Sequence, residues 1–217
     1  MKSEPDIRIK NAFKEKQFYV GITQTGKTNA LCYHLSRATI PYTVWDETGT
    51  ISRLLRPFNP RTQRIIRPPV FPKLQYITKK EAKERQDKKL EAFDSLCHKV
   101  MSEGNQIFVV DEVHTFCTKR SISYEFNELI TKGGNLDVGF IGTSQSVAQV
   151  SNIILGNTLH FWIFKTAVPN DIEWLGKFID KKIVEQSQFL PDYAYIYYKL
   201  GGKAEKYAPV PNMSLFY

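Results

Sequence analysis

One string of eight residues restricts the fold more than any other part of the chain. Gly21-Ile22-Thr23-Gln24-Thr25-Gly26-Lys27-Thr28 satisfies the pattern GxxxxGK[ST] in full. Its glycines let the backbone curl so that successive N–H groups face inward, and the N-terminus of a following helix adds partial positive charge, which together suit a phosphate group. The flanking sequence supplies that helix and a strand before it. Phe18, Tyr19 and Val20 form a short apolar run, as a buried parallel strand would, and from Lys27 to Ala38 the residues Ala30, Leu31, Leu35 and Ala38 recur at helical spacing before Pro41. In this setting Lys27 reaches the β- and γ-phosphates of ATP, and the Thr28 hydroxyl coordinates Mg²⁺.

A second strand of this kind ends in charge. Ile107-Phe108-Val109-Val110 leads directly into Asp111-Glu112. Beside a phosphate loop, a carboxylate at the strand end holds Mg²⁺, and its neighbour is placed to polarise an attacking water. An acidic pair after an apolar run is common in unrelated proteins, so the assignment rests on the loop before it. Gly139-Phe140-Ile141-Gly142-Thr143 is another apolar run, followed by Ser144-Gln145. If it lies next to the strand bearing Asp111, Gln145 emerges at the γ-phosphate, where it senses the nucleotide or orients the water.

Short apolar runs at Tyr42 to Trp45, Ile107 to Val110, Val138 to Thr143 and Leu159 to Phe164 are separated by helical or turn signals. That alternation is the sequence form of a mostly parallel central sheet with helices on both faces. A helix is expected from Lys79 to Met101, with Leu90, Phe93, Leu96, Cys97 and Val100 as its apolar stripe. The stretch Tyr193–Leu200, Gly201-Gly202, Lys203–Val210 reads as an antiparallel hairpin at the sheet edge, and Tyr193, Tyr195, Tyr197 and Tyr198 read as a strand packing half its rings into the core rather than as a base-stacking surface. The 217 residues show no repeat or linker that would split them, so a single domain over 1–217 is expected, carrying a basic, Pro-rich insert at about 53–78 whose five prolines exclude a central strand. No apolar stretch approaches the length of a membrane span, and the N-terminus lacks the pattern of a secretory leader, so export by that route is not expected. Cys32, Cys97 and Cys117 are widely spaced and suggest neither disulfides nor zinc.

The order of phosphate loop, Val44-Trp45-Asp46, Asp111-Glu112-Val113-His114 and a strand ending Thr143-Ser144-Gln145 resembles the HerA/FtsK superfamily of RecA-like P-loop ATPases, over roughly residues 18–178. The small size is similar to the genome-packaging ATPases of membrane-containing and archaeal viruses. The resemblance implies a RecA-like ATPase in a hexameric ring that threads double-stranded DNA into a capsid, at a packaging vertex or in the host cytoplasm, with capsid-vertex or portal proteins as further partners. A cellular or plasmid DNA pump, a phage-assembly ATPase and a nucleotide switch that hydrolyses little remain open; a small-molecule kinase fits poorly, because no Arg-rich lid follows the glutamine strand. Family members carry an arginine before the glutamine strand that acts on the neighbouring subunit's ATP, whereas this chain reads Thr131-Lys132-Gly133-Gly134-Asn135. Arg120 is the leading substitute and Lys132 the next, although a lysine lacks the forked geometry of a guanidinium.

Charge is uneven along the chain. Of the net +8, the segment from Arg53 to Lys89 carries twelve basic and three acidic residues. A concentrated positive region suits a polyanion, and a solvated helix face gives the same count. The Pro-rich half is better suited to a projecting loop, so Arg61, Arg64 and Arg67 are the expected phosphate contacts, with the charges of the following helix left to solvent.

Overall fold

The computed structural model describes residues 15–55, 63–69, 78–119 and 121–216. Five strands, β1 (Lys16–Val20), β2 (Tyr42–Trp45), β4 (Gln106–Val110), β7 (Val138–Ser144) and β8 (His160–Ile163), form the middle of an eight-stranded sheet. The short strand β3 (Gln63–Ile66) adds to one edge, and the hairpin β9 (Tyr195–Lys199) and β10 (Ala204–Tyr207) adds to the other. The order is β10-β9-β8-β1-β7-β4-β2-β3; every pairing from β8 to β3 is parallel, and β9 and β10 run antiparallel.

The strands are apolar without alternation because both faces are covered. Phe18, Val20, Phe108, Val110, Phe140 and Phe161 point into one core, while Tyr19, Ile107, Val109, Ile141 and Trp162 point into the other. The second face is roofed by α1 (Lys27–Ser36) and α2 (Thr50–Leu55). The first takes α3 (Lys79–Glu103), α4 (Tyr124–Lys132), α5 (Asn152–Gly156), α6 (Pro169–Leu175) and α7 (Lys181–Gln186). A two-stranded ribbon, β5 (Cys117–Thr118) with β6 (Ser121–Ile122), stands apart from the main sheet.

Helix α3 begins at a complete capping box. The Thr78 side chain accepts from the Glu81 N–H, and the Glu81 carboxylate accepts from the Thr78 N–H. Its buried residues start only at Phe93, whose ring stacks on Phe116 at 4.1 Å and meets Trp45 edge-on at 5.3 Å. At 1.5 Å per residue the helix is about 37 Å long, far longer than the five-residue strand it precedes, so its charged N-terminal half has no sheet to pack on. Lys79, Lys80, Lys83 and Lys88 are exposed there, as expected for solvated helix charges, while Lys89 is paired with Glu47 just beyond β2.

Two features depart from expectation. The Pro-rich insert contains a strand: β3 fits between Pro60 and Pro68 and pairs only with β2, so the prolines around it exclude a central position without excluding an edge one. Arg64 therefore lies on β3 rather than on a projecting loop. Its guanidinium forks onto the Glu103 carboxylate at 2.9 and 2.7 Å, and its Nε donates to Thr43. Arg67 follows β3 and donates to the Ser52 hydroxyl, while Arg61 falls outside the described residues.

Candidate active site

Parallel strands deliver their C-terminal ends to one rim, and the chain leaves β1, β2, β4 and β7 there with its most polar residues. After β1 the backbone turns at Gly21, whose φ is +153° and where a Cβ would stand 2.7 Å from the Cβ of Phe164. It enters α1 through Gly26 in a left-handed conformation, φ +94°, under the ring of Tyr193. Those two positions are the glycines of the motif, and each needs both the backbone freedom and the missing side chain. Between them Thr25 donates to the Ile22 carbonyl, and Thr23 and Gln24 stand exposed at the top of the loop.

Lys27 reaches back inside the loop. Its Nζ donates to the carbonyls of Gly21 at 2.6 Å and Ile22 at 2.9 Å. Burial lowers its pKa to about 8, against the pull of Glu112 and Asp111, which favour the ammonium. An anion with several charges would find there a desolvated cation, loop N–H groups and a helix N-terminus together.

Opposite, β4 ejects the acidic pair. Asp111 is buried at 2% exposure, and each of its oxygens accepts a hydroxyl, Oδ1 from Thr143 at 2.9 Å and Oδ2 from Thr48 at 3.0 Å. Burial lifts its carboxyl to about 6 despite those bonds, and the negative charge of Glu112 adds to the rise. Glu112 adopts a left-handed backbone, φ +53°, which is unusual for a side chain of this kind and common at functional sites. Its N–H donates to the Thr143 hydroxyl, so one threonine fixes both acids.

Gln145 closes the ring. Its Nε2 donates to Glu112 Oε1 at 2.7 Å, its backbone N–H donates to Oε2, and its own Oε1 accepts from Thr23 of the loop at 2.6 Å. The His114 imidazole lies 3.3 Å from Glu112 and 3.1 Å from the Ser144 hydroxyl. Burial raises the Glu112 pKa, but these bonds outweigh it and hold the group below the usual carboxylate range. It is thus an ionised acceptor beside a buried ammonium at neutral pH.

These residues share one cavity of about 430 Å³, lined along the loop from Thr23 to Thr28 and by Thr48, Arg53, Asp111, Glu112 and Gln145. The sequence-expected residues Lys27, Thr28, Asp111, Glu112 and Gln145 are therefore brought together. Arg120 lies outside the described residues, and Lys132 is at the end of α4, paired with Glu128 at 2.7 Å and away from the cavity lining. Sequence reasoning missed Thr48 and the bridging role of Thr143; an Asp-x-Thr step directly after a central strand was the available signal for the first.

Magnesium takes hard oxygen donors and keeps several places for water and substrate. The Thr28 hydroxyl and the Asp111 carboxylate, with Thr48 bonded to the latter, are donors of that type facing the same cavity. Among the described residues no three His, Cys, Asp or Glu side chains form a metal cage, so an ion here would depend on the phosphates it arrives with.

No protein-family model and no curated protein matches the sequence. Solved structures do. The genome packaging NTPase B204 of Sulfolobus turreted icosahedral virus 2, in complex with AMP, matches with a TM-score of 0.65 at 16% identity, covering 92% of this chain and 99% of that one. B204 of Sulfolobus turreted icosahedral virus, a DNA-packaging ATPase, matches at 0.65 and 13% identity over 91% and 98% of the two chains. The cytoplasmic domain of the type VII secretion ATPase EccC from Thermomonospora curvata matches at 0.62 and 13% identity, covering 94% of this chain and 27% of that one. The strand order, the loop at the end of β1 and these likenesses together give the chain the fold that these packaging and secretion ATPases share.

Proposed function

We propose that the chain hydrolyses ATP with Mg²⁺ and couples the reaction to movement of double-stranded DNA, as the genome-packaging motor of a virus. The observation that carries the chemical half is the convergence of Lys27, Asp111, Glu112 and Gln145 on one cavity from three adjoining strands. The Lys27 ammonium and the loop N–H groups hold the β- and γ-phosphates. Mg²⁺, bound with the nucleotide at Thr28 and Asp111, would neutralise phosphate charge as it spreads in the transition state. Glu112 accepts a proton from the attacking water, the γ-phosphoryl group passes to that water, and ADP and phosphate result. Gln145, bonded to both Glu112 and the loop, keeps the base aligned with the phosphate edge.

The packaging half is supported by size as well as shape. The B204 chains are matched over nearly their whole length, whereas EccC is matched over about a quarter of its own. By the same analogy the working form is a ring, six-membered in the resembling family, with a neighbour's Arg120 or Lys132 completing each site and capsid-vertex or portal proteins anchoring it. The basic segment 53–89 is the proposed source of DNA contacts. Arg64 is already committed to Glu103, which lessens its share and leaves Arg61 and Arg67 as the stronger pair.

Phosphate release measured with and without duplex DNA tests the reading. Stimulation by DNA in the wild type, with Glu112→Gln retaining ATP binding while losing about 10²–10⁴-fold in turnover, is expected. Wild-type turnover in Glu112→Gln removes that residue from the base role, and hydrolysis indifferent to DNA leaves an ATPase without the motor function.

A further inference from the structure

A second cavity, of about 350 Å³, opens beside the first and is lined by Gly26, Asn29, Tyr193, Pro209, Val210 and Asn212. Four of these, Gly26, Asn29, Tyr193 and Asn212, also line the phosphate cavity, so the two are continuous. Its walls come from the C-terminal hairpin. Because β9 and β10 run antiparallel, the segment entering β9 and the one leaving β10 both lie at the rim where the phosphate loop lies, as the pairing of Tyr195 with Tyr207 shows. The first brings Tyr193 and the second brings residues 208–214.

Both walls are held in place. Tyr193 has a left-handed backbone, φ +63°, and remains 56% exposed, although Tyr195, Tyr198 and Tyr207 of the same hairpin are buried. The returning segment is strapped to α1 by a single side chain: Asn29 donates through Nδ2 to the Pro211 carbonyl and accepts through Oδ1 from the Met213 N–H. Met213 is buried beneath it. An exposed aromatic ring thus faces a Pro-Val wall across a slot that opens onto a polyphosphate site.

We propose that this slot receives the nucleobase of the triphosphate and grips it by stacking on Tyr193, with little reading of the base edge. The polar side chains available for edge recognition are largely used. Both ends of the Asn29 amide are committed to the strap, and Asn212 Oδ1 accepts from the Ser214 N–H and hydroxyl. A site built to hydrogen-bond one substrate group rejects an analogue lacking it by about 10⁴–10⁵, whereas a site that offers mainly packing discriminates by about 10²-fold or less. The chain is therefore a general purine nucleoside triphosphatase, taking GTP nearly as well as ATP. The proposal rests on the nucleotide reading of the phosphate loop.

Equilibrium binding of ATP, GTP and inorganic tripolyphosphate to the full chain with Mg²⁺ separates the two. ATP and GTP are expected to bind within about tenfold of each other. Tyr193→Ala should weaken both by about 5- to 150-fold, the range for aromatic–base stacking, while leaving tripolyphosphate binding unchanged, and Tyr193→Phe should restore them. A preference for ATP of a thousandfold or more, an unaltered affinity in Tyr193→Ala, or an equal loss for tripolyphosphate overturns the slot while the phosphate site stands. Failure of ATP, GTP and tripolyphosphate alike to bind the wild type overturns the nucleotide reading itself, and the slot with it.

Discussion

Asp111 carries its charge in surroundings that disfavour it. A carboxyl raised to about 6 by burial is most at ease protonated, so its favourable contribution to folding is full below the unfolded value near 4 and is lost as pH rises through about 6. At pH 7.5 the ionised group destabilises the nucleotide-free protein by about 3 kcal/mol on that shift. Asp111→Asn should therefore raise the thermal midpoint at pH 7.5, with the gap closing below pH 4; equal midpoints at pH 7.5 would show that the carboxylate is better solvated than its burial implies. The same substitution should weaken the dependence of ATP binding on Mg²⁺. Lys27→Ala, which removes the one cation the loop wraps, should abolish tight ATP binding, as titration calorimetry would read directly. In wild-type protein that binding should decline above about pH 8, as Lys27 loses its proton. At this scale Lys27, Thr28, Asp111, Glu112 and Gln145, which line one cavity, were legible in the sequence because their chemistry fixes both type and spacing. Thr48, Thr143 and Tyr193 were not, since each acts through a partner distant in sequence that only the folded sheet brings near.

Helix α3 divides into an anchored half and an unsupported one. Phe93, fully buried among Trp45, Phe108, Phe116 and Phe126, starts the anchored half. Phe93→Ala should cost about 3–5 kcal/mol in denaturant unfolding. Thr78→Ala, which removes the cap, should cost the unsupported half about 1 kcal/mol of local stability, speeding amide exchange in residues 79–89 without moving the global midpoint. Protection lost equally along the whole helix would mean that the two halves unfold together. Helices α1 and α3 and the inner strands followed from apolar periodicity and from runs buried on both faces, whereas the shorter helices α2 and α4 to α7 were not read from the sequence. The β3 strand did not, because four residues among prolines carry no periodic signal, and β5 and β6 are two residues each. The hairpin was legible as an edge addition, but its role in bringing residues 193 and 208–214 to the nucleotide rim depends on register, which composition does not encode.

For the whole molecule, the proposed completion of each site by a neighbour predicts that specific activity rises with protein concentration, as it would if rings assemble. A constant rate from a chain shown by light scattering to be monomeric would argue against it. Mixing Arg120→Ala with Glu112→Gln subunits should recover part of the lost activity if Arg120 serves the adjacent subunit; absence of recovery, with Arg120→Ala alone active, would move the assignment to Lys132. DNA affinity should fall steeply with salt, and Arg61→Ala with Arg67→Ala should flatten that slope.

The phosphate loop, the acidic pair and Gln145 leave from β1, β4 and β7, which lie side by side and share continuous backbone ladders. Their separations are set by the spacing of strands in a sheet and cannot change without breaking those ladders. The rim that carries these residues is thus fixed, and any change of shape on binding a ligand there falls to parts at its margin. The strap that Asn29 ties across α1 is one of these. It lines the same cavity as the phosphate loop and is held by two hydrogen bonds and the buried Met213, which makes it the marginal part nearest to whatever the loop binds.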